Sequence, residues 1–301
     1  MLRASCLLVL LVVFQPRADF RTGVKVVRVD AEVSEAGRLI DGLTKEDFRV
    51  RDEGKMREIV YFGHAEEPLD VILVFDTSSS MLPAIERVAE VSRAALGALR
   101  AGDRVAVMAF DANTALIADF TSDLDRVQTV IQKEVLRRTL VPNSQIQRAA
   151  HDAARHFLRQ PRTNRRRAVL FITDNFGSSR DEGALPAFWE ADTVLSGLIV
   201  QGMAIRRRIL FLPLPLPSSG IDGITEIAER TGGDTLKVDD PGSGFRQMIQ
   251  RLRLRYSLHY EMPRAKPGEQ RSIKVELSPD ARRRYRSASI RARSGYVVPE
   301  T

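Results

Sequence analysis

The chain has 301 residues, with 46 Lys+Arg against 39 Asp+Glu for a formal charge of +7, and 44% of it is hydrophobic. That length and balance suit about two globular domains with a sizeable core and exclude a disordered or coiled-coil chain. The single cysteine, Cys6, lies in the first apolar run, so no disulfide framework or cysteine-based zinc site can form, and any metal must be held by oxygen or histidine.

The first segment opens with Arg3, continues through the apolar run Ala4 to Phe14 and turns polar from Gln15. About eleven apolar residues are too few to span a bilayer, so residues 1–19 read as a signal peptide for export to a periplasmic or extracellular location. No later stretch approaches the apolar length of a membrane span. From Val24, the apolar Val27, Val29, Ala31 and Val33 alternate with Arg28, Asp30 and Glu32, the pattern of a half-buried strand. Further strands are predicted at 48–50 and 59–62 around the turn Asp52-Glu53-Gly54, making residues 20–68 a small β segment.

After Pro68 the texture changes. Leu69 to Phe75 is nearly continuous apolar, as in a strand covered on both faces of a parallel sheet. Helical spacing follows over 85–99, a strand pair over 105–110 and 116–120, helical spacing over 124–135 and 146–158, and a second apolar strand over 168–173. A helix (185–192), a strand (193–200), a helix (224–231) closed by Gly232-Gly233, and a strand (235–238) complete the alternation. Between them, Gln201 to Gly220 carries Pro213, Pro215 and Pro217 and is predicted to be a long, partly extended loop. The pattern predicts an α/β fold over residues 69–250, a doubly wound, mostly parallel sheet with its ligand site at the carboxyl ends of the strands. Alternation returns in 251–301, with Tyr256, Leu258 and Tyr260, then Ile273, Val275 and Leu277, then Ile290 and Ala292. Each flanking β segment is too small to fold alone. The two are therefore expected to pack together as one small β-sandwich with the α/β unit inserted between them.

The candidate site consists of oxygen ligands. Asp76-Thr77-Ser78-Ser79-Ser80-Met81 stands at the carboxyl end of the first buried strand, Thr173-Asp174-Asn175 at that of the second, and Asn143-Ser144 precedes the helix near Ile146. Asp76, Ser78, Ser80, Ser144 and Asp174 can converge above one sheet edge. Two carboxylates and three hydroxyls are a hard set suited to Mg²⁺ or Mn²⁺. If hydroxyls take the inner shell, the ion stays electron-poor and keeps a position for a carboxylate from elsewhere. Capping of helix starts by Ser and Asp is the plainer alternative for each residue taken singly.

Here the chain resembles von Willebrand factor type A domains. The run Asp76 to Met81 looks like the Asp-x-Ser-Gly-Ser-Met opening of their metal-ion-dependent adhesion site. Gly42-Leu43-Thr44-Lys45-Glu46-Asp47-Phe48, Asp52-Glu53-Gly54-Lys55, Thr231-Gly232-Gly233 and Arg293 to Pro299 are similar to the von Willebrand factor A-related proteins best known from Acidobacteria. The resemblance covers residues 24–299 and implies an exported, non-catalytic protein. Carried over, Asp76, Ser78 and Ser80 match the first motif, Asp174 the aspartate of Thr-Asp-Gly, and Ser144 the threonine of Gly-Gly-Thr. Ser79, Asn175 and Pro142-Asn143 depart from it, each removing a glycine tolerant of unusual backbone angles.

Other constellations point elsewhere. His151 and His156 are five apart and do not share a helical face at ligand spacing, so surface or capping roles are expected. No Gly-x-Ser-x-Gly elbow, Walker loop or His-Glu-x-x-His occurs. The triplets Arg165–Arg167, Arg206–Arg208 and Arg282–Arg284 supply most of the surplus charge. No aromatic interleaves them to stack on bases, so solvated strand and loop flanks are expected rather than a nucleic-acid surface. Exposed arginines would also draw the protein to an anionic envelope surface. The sequence thus leads to an adhesion module that captures a protein partner's Asp or Glu through a divalent ion. The alternatives are a structural envelope protein with a degenerate metal site and a metal-dependent hydrolase, which would need a general base beside the ion.

Overall fold

The computed structural model describes residues 25–64, 66–138, 144–177, 181, 183–200 and 221–300. The predicted signal peptide, the 201–220 loop with Arg206–Arg208, and Pro142-Asn143 lie outside the described residues. The first part contributes β1 (Val26–Glu35), β2 (Arg38–Leu39), β3 (Phe48–Asp52), β4 (Lys55–Arg57) and β5 (Ile59–His64). The central part runs β6 (Leu69–Asp76), α1 (Leu82–Leu96), β7 (Arg104–Phe110), β8 (Thr114–Thr121), α2 (Leu124–Val130), α3 (Ile146–Leu158), β9 (Arg166–Thr173), β10 (Phe176–Gly177), α4 (Ala184–Glu190), β11 (Val194–Val200), β12 (Ile221–Asp222), α5 (Thr225–Thr231), β13 (Thr235–Val238) and α6 (Pro241–Arg253). The last part adds β14 (Tyr256–Glu261), β15 (Gln270–Leu277), α7 (Pro279–Arg284), β16 (Ser289–Ala292) and β17 (Gly295–Val297).

The central sheet has the order β13-β11-β9-β6-β7-β8. All its pairings are parallel except β7 with β8 at the edge. Every residue of β6 and β9 is buried, because alternate side chains enter cores on opposite faces. Val71, Leu73 and Phe75 pack with α1, α2 and α6, whereas Ile72 and Val74 pack with α3, α4 and α5. The α/β fold is thus doubly wound. Helix α1 starts at Leu82, earlier than its apolar spacing suggested, since Pro83 suits the first turn.

The terminal segments complete each other. One sheet has the order β16-β1-β14-β5, with β2 on β1, and the other β17-β15-β3-β4. Besides the short β2, β1 pairs with two strands from the last part of the chain, Val29 standing opposite Leu258 and Val33 opposite Ile290. Val27, Val29, Phe48, Val50, Tyr256, Leu258 and Ile273 share one core between the sheets. Helix α6 extends to Arg253, and β14 of the flanking sheet begins at Tyr256.

The reading of β1 as half-buried needs correction. Arg28, Asp30 and Glu32 are buried as well. The polar face of β1 lies against the α/β unit, where burial is tolerated because Asp30 and Glu32 are paired with arginines and Arg28 donates to carbonyls. Asp30 pairs with Arg166 at 3.4 Å and accepts from Ser257 Oγ at 2.6 Å. Glu32 pairs with Arg251 at 2.9 Å and Arg255 at 3.6 Å. The triplet Arg165–Arg167 is likewise not a solvated flank. Arg166 and Arg167 are buried, and Arg165 binds Asp70 at 2.6 Å. Arg282–Arg284 is exposed, as expected.

On the same seam, burial and the neighbouring Arg28 charge push His259 down to about 4. A histidine whose folded value lies below its unfolded value of 6.5 stays neutral in the fold, so stability is lost as pH falls from about 6.5 through 4. Urea unfolding of the wild type is expected to lose about 3 kcal/mol more than His259→Gln between pH 7 and 4. Parallel pH profiles would show that His259 takes up its proton as readily when folded.

Candidate functional site

The five predicted ligands converge at the carboxyl ends of β6 and β9. Asp76, the last residue of β6, is fully buried at 0% exposure. Its Oδ1 accepts from the Ser78 amide at 3.0 Å and from Ser144 Oγ at 3.1 Å. Its Oδ2 accepts from Thr173 Oγ at 2.8 Å. Ser80 Oγ donates to Asp174 Oδ2 at 2.7 Å and lies 3.2 Å from Ser78 Oγ. Each connection has a local cause. Parallel pairing sets Phe75 opposite Ile172, so the two strand ends stop side by side. The Ser78 amide folds back onto Asp76 in an Asx turn, which aims the following hydroxyls over the sheet. Gln145 is held by its amide to the Asp111 carbonyl at 3.0 Å, which fixes Ser144 at the start of α3.

Thr173 was not among the predicted site residues. Its signal was present in the sequence, a hydroxyl residue closing an otherwise apolar strand. It bridges the site, since its Oγ donates to Asp76 and accepts the Asn175 amide at 3.0 Å.

Two departures from the glycine pattern are accommodated. Ser79 is not among the non-glycine residues with positive φ, so no glycine is required there. Asn175 has φ +64°, in the left-handed region, where Asn is the best tolerated after Gly. Its side chain is used besides. Asn175 Oδ1 accepts from the Ile224 amide at 3.0 Å and Nδ2 donates to Thr225 Oγ at 3.3 Å, fastening the β9 end to the start of α5. A Cβ on Gly223 would lie 2.3 Å from Asn175 Oδ1, so that glycine makes room for the asparagine. Asn175→Ala, which loses both the backbone tolerance and the two bonds, is expected to cost about 2–3 kcal/mol in urea unfolding. Asn175→Gly should cost about 1 kcal/mol, because only the bonds go; equal losses would mean that the left-handed backbone contributes nothing.

Electrostatically the site is short of positive charge. Burial, then the Asp174 carboxylate, push Asp76 up to about 6, against the pull of its hydrogen bonds. This donor set fits a hard divalent cation. It is all oxygen, with two repelling carboxylates that a cation would relieve. The hydroxyls of Ser80 and Ser144 spend their protons on the carboxylates and retain lone pairs for an ion. Among the described residues no three of His, Cys, Asp and Glu gather as a metal cluster, so an ion here would depend on the serines.

The histidines lie apart from these contacts. His151 Nδ1 is 2.8 Å from Asp181, and His156 Nε2 is 3.0 Å from Asp119. His156, in the last turn of α3, is buried and stacks on Phe120, so of the two expected roles, surface or capping, the surface one is not found.

Residues 71–177 match the sequence model of the von Willebrand factor type A domain. No curated protein matches the chain. Among solved structures, the von Willebrand factor type A protein from Catenulispora acidiphila aligns with a TM-score of 0.47 and 12% identity over 93% of this chain and 76% of its own. An aerotolerance-related membrane protein from Bacteroides fragilis aligns with a TM-score of 0.44 and 19% identity over 61% of this chain and 98% of its own. The manganese-loaded TRAP protein of Plasmodium vivax aligns with a TM-score of 0.42 and 15% identity over 77% of this chain and 98% of its own.

Proposed function

We propose that this chain, which carries a von Willebrand factor type A domain, is an exported, non-catalytic binding module that captures a partner's carboxylate through Mg²⁺ or Mn²⁺ held by Asp76, Ser78, Ser80, Ser144 and Asp174. The observation that supports this reading is the pair of hydroxyl-to-carboxylate bonds, Ser80 to Asp174 and Ser144 to Asp76, which joins three separate stretches of chain at one sheet edge. The ion, when bound, would supply a Lewis-acidic position for an anionic ligand. The chain supplies the rest: Asp76 and Asp174 bring negative charge, the serines bring neutral oxygen, and Thr173 holds Asp76 in register. The partner is a protein offering Asp or Glu at its surface. Export rests on residues 1–19, and among the described residues no helix is long and apolar enough to cross a membrane.

Titration calorimetry of the full chain with MgCl₂ and MnCl₂ tests the reading. Saturable heat is expected for at least one ion, with affinity reduced at least about tenfold in Asp174→Asn, which keeps the acceptor for Ser80 but removes a charge. Pull-down of the protein partner from envelope extract should then be lost in EDTA and restored by the ion. Featureless wild-type titrations with both ions would end the proposal.

A further inference from the structure

The seam between the sandwich and the α/β unit forms an open-mouthed cavity of about 290 Å³ whose lining includes Arg28, Arg162, Arg165, Arg167, Asp192 and His259. It sits at the amino end of β9, whereas Thr173 and Asp174 stand at the carboxyl end of that strand, so it is distinct from the candidate metal site. Among the described residues four guanidiniums border this space against one lining carboxylate, Asp192, which pairs with Arg293 at 2.9 Å and also acts on Arg28 and Arg167. His259 adds no charge near neutral pH, since burial holds it unprotonated.

The cations are held chiefly by neutral groups. Arg28 donates to the carbonyls of Arg165 and Asn164 at 2.7 and 2.6 Å. Arg167 donates to those of Ala191 and Pro161 at 3.2 and 2.8 Å, and Arg162 to that of Glu190 at 3.1 Å. Carbonyls orient a guanidinium without cancelling its charge. Among the described residues only Arg165 of the four has a carboxylate at ion-pair distance, Asp70, which also holds Arg104 at 2.6 Å. Asp192, Asp30 and Glu67 act on Arg28 from beyond ion-pair distance. Arg28 is only 9% exposed, and its Nε is buried without a hydrogen-bond partner among the described residues. A buried donor left in this way calls for an acceptor. Burial and the neighbouring Arg162 and Arg28 charges weigh on Arg167, and since arginine cannot shed its proton, an anion among the three would relieve that repulsion.

We propose that this cavity is a binding site for a small phosphate-class anion, with Arg28, Arg162 and Arg167 as its donors. A phosphate brings about two negative charges and several acceptor oxygens, matching converging guanidiniums better than a single carboxylate does. The volume lies at the small end of ligand cavities, which suits a phosphate and a short substituent.

Calorimetric titration of the full chain with inorganic phosphate, in a buffer free of divalent ions, tests the site. Saturable binding is expected, with acetate at least about tenfold weaker. Arg162 is exposed, so Arg162→Gln should fold normally and weaken phosphate about tenfold, as should Arg28→Gln if it folds. Arg87→Gln, the same charge change on the exposed face of α1, should leave phosphate affinity unaltered. A phosphate monoester can arrive free or on a lipid headgroup. Sedimentation with phosphatidic acid vesicles that fails in Arg162→Gln assigns the lipid source, and phosphate heat without sedimentation assigns the free anion. Absence of saturable phosphate heat, acetate binding as tight as phosphate, or equal affinity in wild type and Arg162→Gln would overturn the proposal.

Discussion

Asp76→Asn, in EDTA at pH 7, is expected to be more stable than the wild type by about 1–3 kcal/mol, or roughly 2–6 °C in melting temperature. In the ion-free protein Asp76 is fully buried beside Asp174, and its folded value of about 6 lies above the 3.8 of an unfolded aspartate. The stabilisation from a raised carboxyl is complete below pH 3.8 and is lost as pH rises through about 6, so at pH 7 the ionised side chain weighs against the fold. The amide removes that charge while retaining an oxygen for the Ser78 amide and Ser144 hydroxyl. On lowering the pH from 7 to 4 the wild type should therefore gain up to about 3 kcal/mol relative to Asp76→Asn. The comparison between variants cancels the opposite trend from His259. Adding Mg²⁺ or Mn²⁺ should reverse the order. An ion at a hundred times its dissociation constant stabilises the wild type by about 2.7 kcal/mol, whereas the variant lacks a ligand charge. A wild type that melts above Asp76→Asn in EDTA would mean that the buried charge favours the fold.

The second large effect is at the ionic seam. Arg166→Met should cost about 3–5 kcal/mol, because it removes one partner of a buried pair and leaves the other charge uncompensated. Arg166 is 1% exposed and reaches both units, pairing with Asp30 of β1 at 3.4 Å while donating to the carbonyls of Leu252 and Arg253 at 2.6 and 3.0 Å. Those carbonyls end α6, where a cation also meets the negative pole of the helix. Arg166 is the main favourable influence holding Asp30 down at about 2 against its burial. Combining Arg166→Met with Asp30→Asn should then cost less than the sum of the two single losses, a coupling that guanidinium unfolding of the four proteins measures. Strict additivity would show that the pair contributes nothing to the seam.

Local sequence marks some of the site residues and not others. Asp76, Ser78, Ser80 and Asp174 follow apolar strands whose ends local periodicity locates, and a doubly wound sheet gathers strand ends at one edge. The bridging role of Thr173 and the fastening role of Asn175 are not legible locally, since their partners Asp76 and Ile224 stand 97 and 49 residues away.

The sequence by itself determined the alternation of strands and helices, the inserted order of the units and the oxygen chemistry of the strand ends. All of these are written in spacings of a few residues. Only the tertiary structure decided that the charged face of β1 is buried, that Arg165–Arg167 serves the interior, and that cations border a cavity at the seam. Alternation distinguishes two sides of a strand but not what covers each. The covering groups here, Arg166 for Asp30 and Arg251 for Glu32, lie 136 and 219 residues along the chain, and only folding brings them into contact.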